Sequence, residues 1–391
     1  MTNILDDEQR ILASCVSLTQ QIDRGSVVLS SRLAAAFLNV PRHPFVPVFY
    51  RRDGERFIPW SSTDGAPEAW LAAVYADDSL ITEVDDVHAE DAPSQGLTGI
   101  PTSSSTAPSL MADMLDALDV NEGDEVYEAG TGTGYNAAIL SFLAGDKHVT
   151  TVDRSETLTA KAQPRLAATG FDPHVIHGDG ARDFPADATY DRIIATASVR
   201  RIPPEWLTRL RPGGIMVVPI KGTLAGGMVA RLTKSPDGTA TGHILHTPAA
   251  FMPLRSGSQT SAQTPVVPDG PSREATLSAR ALDDWTFSFF AQLHMPSGVV
   301  RTYGQYDEGL HVTTLYDFTD GSTTRIDDAH GGPPTVTSTG PRDLWQPIEA
   351  AHQLWLRLNR PRREWFTIEA TPTEQVVRYT APDGRVHRWQ L

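Results

Sequence analysis

The chain has 391 residues, of which 40% are hydrophobic, and it carries a formal net charge of −15 with a single cysteine. This length is enough for two domains, the negative charge argues against nucleic acids and anionic membranes as partners, and no run approaches the roughly 20 apolar residues of a membrane span. One cysteine permits neither an intramolecular disulfide nor a cysteine-based zinc site. We therefore expect a cytoplasmic protein without a signal peptide or a metal site, with a monomer as the default state.

Residues 1–98 are predicted to form an N-terminal extension of helices and a cap. Helical patterns cover 7–36, with Ser30 as the cap of the second helix. Three prolines between Val40 and Pro47 fix φ and predict a rigid extended segment. His43 in this segment is a candidate catalytic residue, although packing explains it more simply. The polar stretch 51–98 is typical of a cap, with one strand over 75–82.

A run of hydroxyl side chains, Thr102 to Thr106, precedes Pro108 and an apolar helical stripe over 109–118. Such runs are often linkers. This one is short and adjoins a helix N-terminus, where hydroxyl donors and unpaired backbone N–H groups together suit an anion. We predict that Ser104, Ser105 and Thr106 hold an anionic group of a substrate.

A glycine-rich segment follows, between a predicted strand at 124–127 and a predicted helix from 136. Its spacing is G-x-G-x-G, which differs from the dinucleotide pattern G-x-G-x-x-G, and its glycines allow a tight turn and close approach of a ligand. The carboxylate of Glu128 at the strand end would repel a pyrophosphate but suits a cation. S-adenosylmethionine carries a sulfonium and an ammonium, and we predict that it binds here. The predicted donor contacts in this segment are Glu128, Gly130, Thr131, Gly132, Gly134 and Tyr135.

Two further predicted strand ends carry acidic residues. Asp153, followed by Arg154, lies about twenty residues past the loop, where a carboxylate grips a ribose diol. Gly178-Asp179-Gly180 follows the next strand, and Asp179 can accept from an adenine amino group. Thr196 lies in the exit loop of a later strand. Asp and Gly are common in ordinary turns, but three such elements in order favour an adenosylmethionine-binding fold.

Strands and helices alternate from 121 to 252, which predicts a mostly parallel sheet. The predicted fold is α/β, a class I (Rossmann-like) methyltransferase core over 99–254. Residues 255–275 are rich in Ser, Thr, Pro and Gly and are predicted to be a linker. Residues 276–391 hold five of the eight tryptophans and are predicted to form an α+β accessory domain for substrate recognition. Its predicted elements are strands at 285–289, 311–316, 366–370 and 375–379 and a helix at 345–358.

The glycine segment, the Gly-Asp-Gly turn and the Arg-Pro-Gly-Gly turn at 211–214 together resemble protein-L-isoaspartate O-methyltransferases. The similarity covers roughly 99–254 and includes Phe251-Met252-Pro253-Leu254, which is similar to the closing strand of that family. The resemblance implies S-adenosylmethionine as donor, S-adenosylhomocysteine as product and a carboxylate acceptor held by a hydroxyl run ending in Ser-x-Pro. Here Thr106 replaces that serine, so the hydroxyl remains while its methyl group narrows the pocket.

The N-terminal extension and the C-terminal domain are expected to be foreign to the repair enzymes of that family. The layout looks more like methyltransferases of ribosomal peptide clusters, which serve lanthipeptides, graspetides and lasso peptides. That resemblance implies methylation of an unmodified Asp in a cyclised precursor peptide, followed by collapse of the ester to an aspartimide, which persists or hydrolyses to isoaspartate. Two alternatives remain, namely isoaspartate repair and a non-catalytic scaffold that binds the donor or the peptide.

Overall fold

The computed structural model describes residues 4–23, 28–222, 224, 226–255, 270–305, 311–328 and 332–391. The helices are α1 Ile4–Asp23, α2 Ser31–Asn39, α3 Pro67–Val74, α4 Pro108–Leu118, α5 Tyr135–Ala144, α6 Glu156–Ala168, α7 Pro204–Arg209, α8 Trp285–Gln292 and α9 Gln346–Arg357. The strands are β1 Val48–Asp53, β2 Arg56–Ser61, β3 Leu80–Val84, β4 Val87–His88, β5 Pro101–Ser105, β6 Val126–Ala129, β7 Val149–Asp153, β8 His174–His177, β9 Tyr190–Ala195, β10 Leu210–Ile220, β11 Met228–Lys234, β12 Ala240–Pro248, β13 Ser272–Glu274, β14 Val299–Gln305, β15 His311–Asp317, β16 Thr323–Asp328, β17 Thr335–Thr339, β18 Phe366–Ala370, β19 Gln375–Thr380 and β20 Val386–Gln390.

The chain forms two compact units. The described residues of unit 1 fall within Met1–Ala197, Thr208–Val217 and Leu254–Gly257, and those of unit 2 within Ser198–Leu207, Val218–Pro253 and Ser258–Leu391. The domain boundaries at 98, 254 and 275 stay a prediction, and most of the predicted linker lies outside the described residues. None of the helices in the described ranges is long and apolar enough to cross a membrane.

The core of unit 1 is a parallel sheet in the order β8-β7-β6-β9-β10. All four residues of β6 are buried, as expected for a parallel strand covered on both faces. The chain adds β7 and β8 on one side of β6 and then crosses to the other side for β9. Ligands of open α/β sheets bind at the carboxyl ends of the strands where this reversal occurs. The predicted α/β core is confirmed.

The N-terminal part of unit 1 contains a second, antiparallel sheet in the order β2-β1-β3-β4, with β5 paired to β3. Most of the hydroxyl run is therefore part of a strand, a secondary structure that the sequence analysis did not assign to it. Every second side chain of β5 faces inward, so Ser103 and Ser105 are buried. The expectation of an extended segment at 40–47 is also wrong in part. Residues His43–Phe45 form a 3₁₀ turn with Pro44 in its first positions, where a missing N–H costs nothing.

Unit 2 contains two antiparallel arrangements of strands. One has the order β11-β12-β18-β19-β20, and the other has the order β13-β17-β16-β15-β14. The predicted strands at 311–316, 366–370 and 375–379 and the helix at 345–358 correspond to β15, β18, β19 and α9. The predicted turn at 211–214 lies inside β10, where the pairing register is irregular and Gly213 has φ +81°.

The predicted strand at 285–289 is wrong, because these residues begin helix α8. The carboxylate of Asp284 caps the helix by accepting from the N–H groups of Thr286 and Phe287, at 2.8 and 3.1 Å. Phe287 and Phe290 are then buried on the helix, and the Phe290 ring packs against the ring of Trp389. Tertiary packing of aromatic rings outweighs their local preference for strands.

Candidate active site

The carboxyl ends of four neighbouring strands bring the predicted donor-binding elements together. The N–H of Gly130 donates to the Val152 carbonyl at 2.8 Å, and the N–H of Gly132 donates to the Asp153 carboxylate at 2.9 Å. The Thr196 hydroxyl donates to the Gly130 carbonyl at 2.6 Å. The glycine loop is thus tied to β7 on one side and to the end of β9 on the other.

Two positions in the loop require glycine for different reasons. Gly130 has φ +108°, and a Cβ there would lie 2.4 Å from the Thr196 hydroxyl oxygen. Gly132 has φ +52°, but a Cβ there would meet only the Ser104 carbonyl oxygen, at 3.9 Å. The space above Gly132 is open, as a close approach of a ligand requires.

Glu128 lies beneath the loop and is completely buried. One of its oxygens accepts from the Asn136 amide and the other from the Thr151 hydroxyl, both at 2.7 Å. The Thr151 hydroxyl also lies 2.7 Å from that of Thr131. Burial raises the pKa of Glu128 to about 7, although both hydrogen bonds oppose the shift. Glu128 is thus connected to the glycine loop through the hydroxyls of Thr151 and Thr131. Its direct contact with the methyl donor stays a prediction.

Asp153 and Asp179 both have oxygens engaged by backbone N–H groups. Asp153 accepts from Gly132 and, at 3.0 Å, from Ser155, and burial raises its pKa. Asp179 accepts from the Ala181 N–H at 2.9 Å inside the turn flanked by Gly178 and Gly180. Each carboxylate keeps lone pairs for further donors, such as ribose hydroxyls or an adenine amino group.

Arg154 and Tyr135 occupy different surroundings from the rest of the predicted set. Arg154 is exposed, and its carbonyl lies 3.1 Å from the His177 ring nitrogen. Tyr135 is 5% exposed, and its ring packs on Phe45 with centroids 5.7 Å apart. The Tyr135 side chain therefore serves the core beneath the loop.

Strand β5 brings the predicted acceptor residues beside the glycine loop, because the Ser104 carbonyl oxygen lies 3.9 Å from the Cβ position of Gly132. The three hydroxyls have different environments. Ser105 is 4% exposed and its hydroxyl accepts from Arg42, whereas Ser104 and Thr106 are half-buried. Within the described part of the chain, the hydroxyls of Ser104 and Thr106 have no hydrogen-bond partner. Both can therefore donate to a substrate, whereas the Ser105 hydroxyl is used by Arg42.

Arg42 is a residue of this region that the sequence patterns do not identify. It is fully buried, and its guanidinium donates to the carbonyls of Ser105 and Thr106, both at 3.2 Å. Further donors reach the carbonyls of Val74 and Ala76 at 3.0 and 3.1 Å. Burial lowers the pKa of Arg42 to about 10. The available signal in the sequence is an arginine within the segment 40–46, whose other residues, apart from His43, are apolar.

His43 also belongs to this packing, because its ring nitrogen lies 2.9 Å from the Tyr75 hydroxyl. Burial lowers the pKa of His43. A second missed residue is Glu83 on β3, which is fully buried and accepts from the Thr102 hydroxyl at 3.3 Å. Burial raises the pKa of Glu83 to about 7. His43 therefore packs against the residue that follows α3, and Glu83 accepts a hydrogen bond from β5.

The contact between Gly130 and Thr196 gives a direct test of the loop. Gly130→Ala should lower the free energy of unfolding by on the order of 3 kcal/mol, because backbone strain and the clash with Thr196 add. Gly213→Ala is the matched control, since Gly213 has φ +81° and nothing within 4 Å of its Cβ position. It should cost about 1 kcal/mol. Urea denaturation measures both, and equal losses would contradict the steric argument.

Residues 84–259 match the family described as Protein-L-isoaspartate(D-aspartate) O-methyltransferase (PCMT). A Protein-L-isoaspartate O-methyltransferase of Ignicoccus hospitalis is 39% identical over 151 residues, which is 38% of this chain and 71% of the relative. The protein of that name from Methanopyrus kandleri is 32% identical over 206 residues, covering 52% of this chain and 75% of the relative.

A solved structure entitled protein-L-isoaspartate O-methyltransferase is 20% identical with a TM-score of 0.51, and it covers 96% of this chain and 98% of its own. At the level of fold, the expectation that the N- and C-terminal regions are foreign to such proteins is therefore wrong. The predicted class I methyltransferase core is confirmed. The chain belongs to the protein-L-isoaspartate(D-aspartate) O-methyltransferase family.

Proposed function

We propose that this chain transfers a methyl group from S-adenosylmethionine to the side-chain carboxylate of an aspartate-derived residue in a peptide, with S-adenosylhomocysteine as product. The observation that carries the proposal is the position of the hydroxyl strand β5 beside the glycine loop, with the Ser104 carbonyl facing the open space at Gly132. The residues present fit the donor. Open space at Gly132 and the carboxylates of Asp153 and Asp179 lie at one sheet edge, and the Glu128 carboxylate lies beneath the glycine loop.

The donor supplies an electrophilic methyl group on a positively charged sulfur. The acceptor is already anionic at neutral pH, so the chain needs no general base, and its task is to align the reacting atoms. In our proposal the Thr106 hydroxyl donates to the acceptor carboxylate, with Ser104 beside it. Arg42 fixes the carbonyls of Ser105 and Thr106, which keeps the donating hydroxyl in place.

The finer proposal concerns the acceptor. We propose L-Asp in a cyclised, ribosomally made peptide, such as a lanthipeptide, graspetide or lasso peptide, as the substrate. The resulting ester would lead to aspartimide and isoaspartate. Thr106 supports this choice, because its extra methyl group changes the pocket relative to the serine of the repair enzymes. Isoaspartate repair is the second candidate, and it is favoured by the names of the relatives and by the likeness in fold over most of the chain.

Two peptides of one sequence separate the candidates. One carries L-Asp in a cyclised precursor and the other carries isoaspartate at that position, and mass spectrometry follows the methyl gain of each. Our proposal predicts faster transfer to the cyclised L-Asp peptide. Faster transfer to isoaspartate would replace it with repair. Donor binding by calorimetry without transfer to either peptide would support the non-catalytic scaffold.

Thr106 is tested with whichever peptide is methylated. Thr106→Val removes the hydroxyl at constant volume and should lower kcat about 100-fold, because one donor to the reacting oxygen is lost. Thr106→Ser is the matched control and should stay within a few-fold of the parent, since it keeps the hydroxyl. Donor affinity should be unchanged in both. Unchanged kcat in Thr106→Val would remove Thr106 from the mechanism.

Donor affinity should depend on pH through Glu128. Because the pKa of Glu128 in the donor-free chain is raised from 4.5 to about 7, this group loses its stabilising contribution to folding as pH rises through 7. A bound cation favours the ionised carboxylate, so affinity for S-adenosylmethionine should rise up to about tenfold between pH 6 and pH 8. Calorimetry should show this rise in the parent and a flatter profile in Glu128→Gln. Glu125→Gln, just before the same strand, is the control and should keep the rise.

A further inference from the structure

Unit 2 carries three cationic side chains in one place, Arg200, Arg201 and Lys221, which we call the cationic patch. Val199 and Ile220 form a parallel bridge, and the Lys221 N–H donates to the Val199 carbonyl at 3.0 Å. Arg200 and Lys221 each follow a residue of this bridge, and Arg201 is next to Arg200 along the chain. Backbone pairing therefore brings the chain positions of these cations near one another.

No carboxylate of the described ranges pairs with these three cations. Arg200 and Arg201 are exposed, and Arg200 donates to the Ser297 carbonyl. Lys221 is half-buried, and burial lowers its pKa. Elsewhere in unit 2, Arg273 and Arg342 each form ion pairs with two carboxylates. A partly desolvated ammonium without a counter-ion is unfavourable by itself, and binding of an anion would remove that cost.

An unpartnered acceptor lies next to the patch. The Gln292 side-chain oxygen is buried and has no hydrogen-bond partner among the described residues. Its side chain packs on the backbone directly after Lys221, because a Cβ at Gly222 would lie 2.3 Å from that oxygen. The Gln292 oxygen is shielded from solvent, so the patch itself offers only cations to a ligand. A ligand that matches the patch must carry anions, as a peptide with acidic side chains does.

We propose that the cationic patch docks an acidic segment of a peptide. The chain has a net charge of −15, so an acidic peptide meets overall repulsion, and a local cluster of cations offsets it. That the docked peptide is a substrate rests on the proposed function. The docking itself does not.

Direct binding of two labelled peptides to the full chain tests this. Both contain the same aspartate, one is flanked by three glutamates and the other by three glutamines, and fluorescence anisotropy gives Kd. The acidic peptide should bind about tenfold more tightly at low ionic strength, and the difference should shrink at 1 M salt. A parent chain without this preference would overturn the proposal.

The double variant Arg200→Gln, Lys221→Met should lose the preference while its thermal midpoint and donor affinity stay unchanged. Arg200→Lys should keep it. The matched control is Arg385→Gln, Arg388→Gln, which removes two charges from the β19–β20 hairpin, where they pair with Asp383 and Glu374. If this control lost the preference for the acidic peptide to the same extent, the preference would depend only on the net charge of the chain, and the docking site would be overturned.

The outcome is separable from that of the proposed function. If the acidic peptide is methylated, the double variant should raise its KM about tenfold and leave kcat unchanged, since the reacting groups are untouched. If no peptide is methylated but the binding preference and its loss are observed, the methyltransferase proposal fails and the docking site stands.

Discussion

The hydrogen bonds that tie the glycine loop to the strand ends on either side determine the rest of the site. The N–H groups of Gly130 and Gly132 are used by β7, and the Gly130 carbonyl is used by Thr196. Gly130 and Gly132 have positive φ angles, which residues other than glycine rarely adopt. The open space at Gly132 lies on the side of β5, where the Ser104 carbonyl is the nearest atom. The glycine loop and β5, the proposed donor and acceptor elements, are therefore positioned by the backbone of the fold, and side chains add charge and hydrogen bonds to this backbone arrangement.

The acceptor strand depends on a buried charge. A guanidinium removed from water costs several kcal/mol unless its donors are satisfied. Arg42 meets this condition with carbonyls and one hydroxyl, and it joins the end of β5 to the end of α3. Because Arg42 donates both to the Thr106 carbonyl and to the carbonyls of Val74, Ala76 and Asp78, the position of Thr106 is tied to the chain around residues 74–78.

The parts of the site that are local in sequence could be predicted, since the strand–glycine–helix pattern and each acidic strand end need only adjacent residues. The serine strand β5 could not, because serine does not favour strands and its pairing with β3 arises from residues some twenty positions away. Arg42 was missed for the same reason, because its acceptors lie 32 to 64 residues away.

In unit 2, the capping Asp284 was a local signal for helix α8 that the aromatic pattern concealed. Pairing of β12 with β18 also shows that removal of residues 270–391 would expose one edge of β12, so point variants are the better probe of substrate recognition.

The most direct test of the account is a crystal structure of the chain with S-adenosylhomocysteine and the unmethylated peptide. The account predicts that the ligand lies over Gly132 with its ribose at Asp153, that the peptide carboxylate accepts from Thr106, and that its oxygen and the sulfur are separated by little more than the roughly 3 Å of an attacking contact plus one bond length. A ligand bound away from the glycine loop, or a peptide carboxylate held by residues other than Thr106 and Ser104, would contradict it.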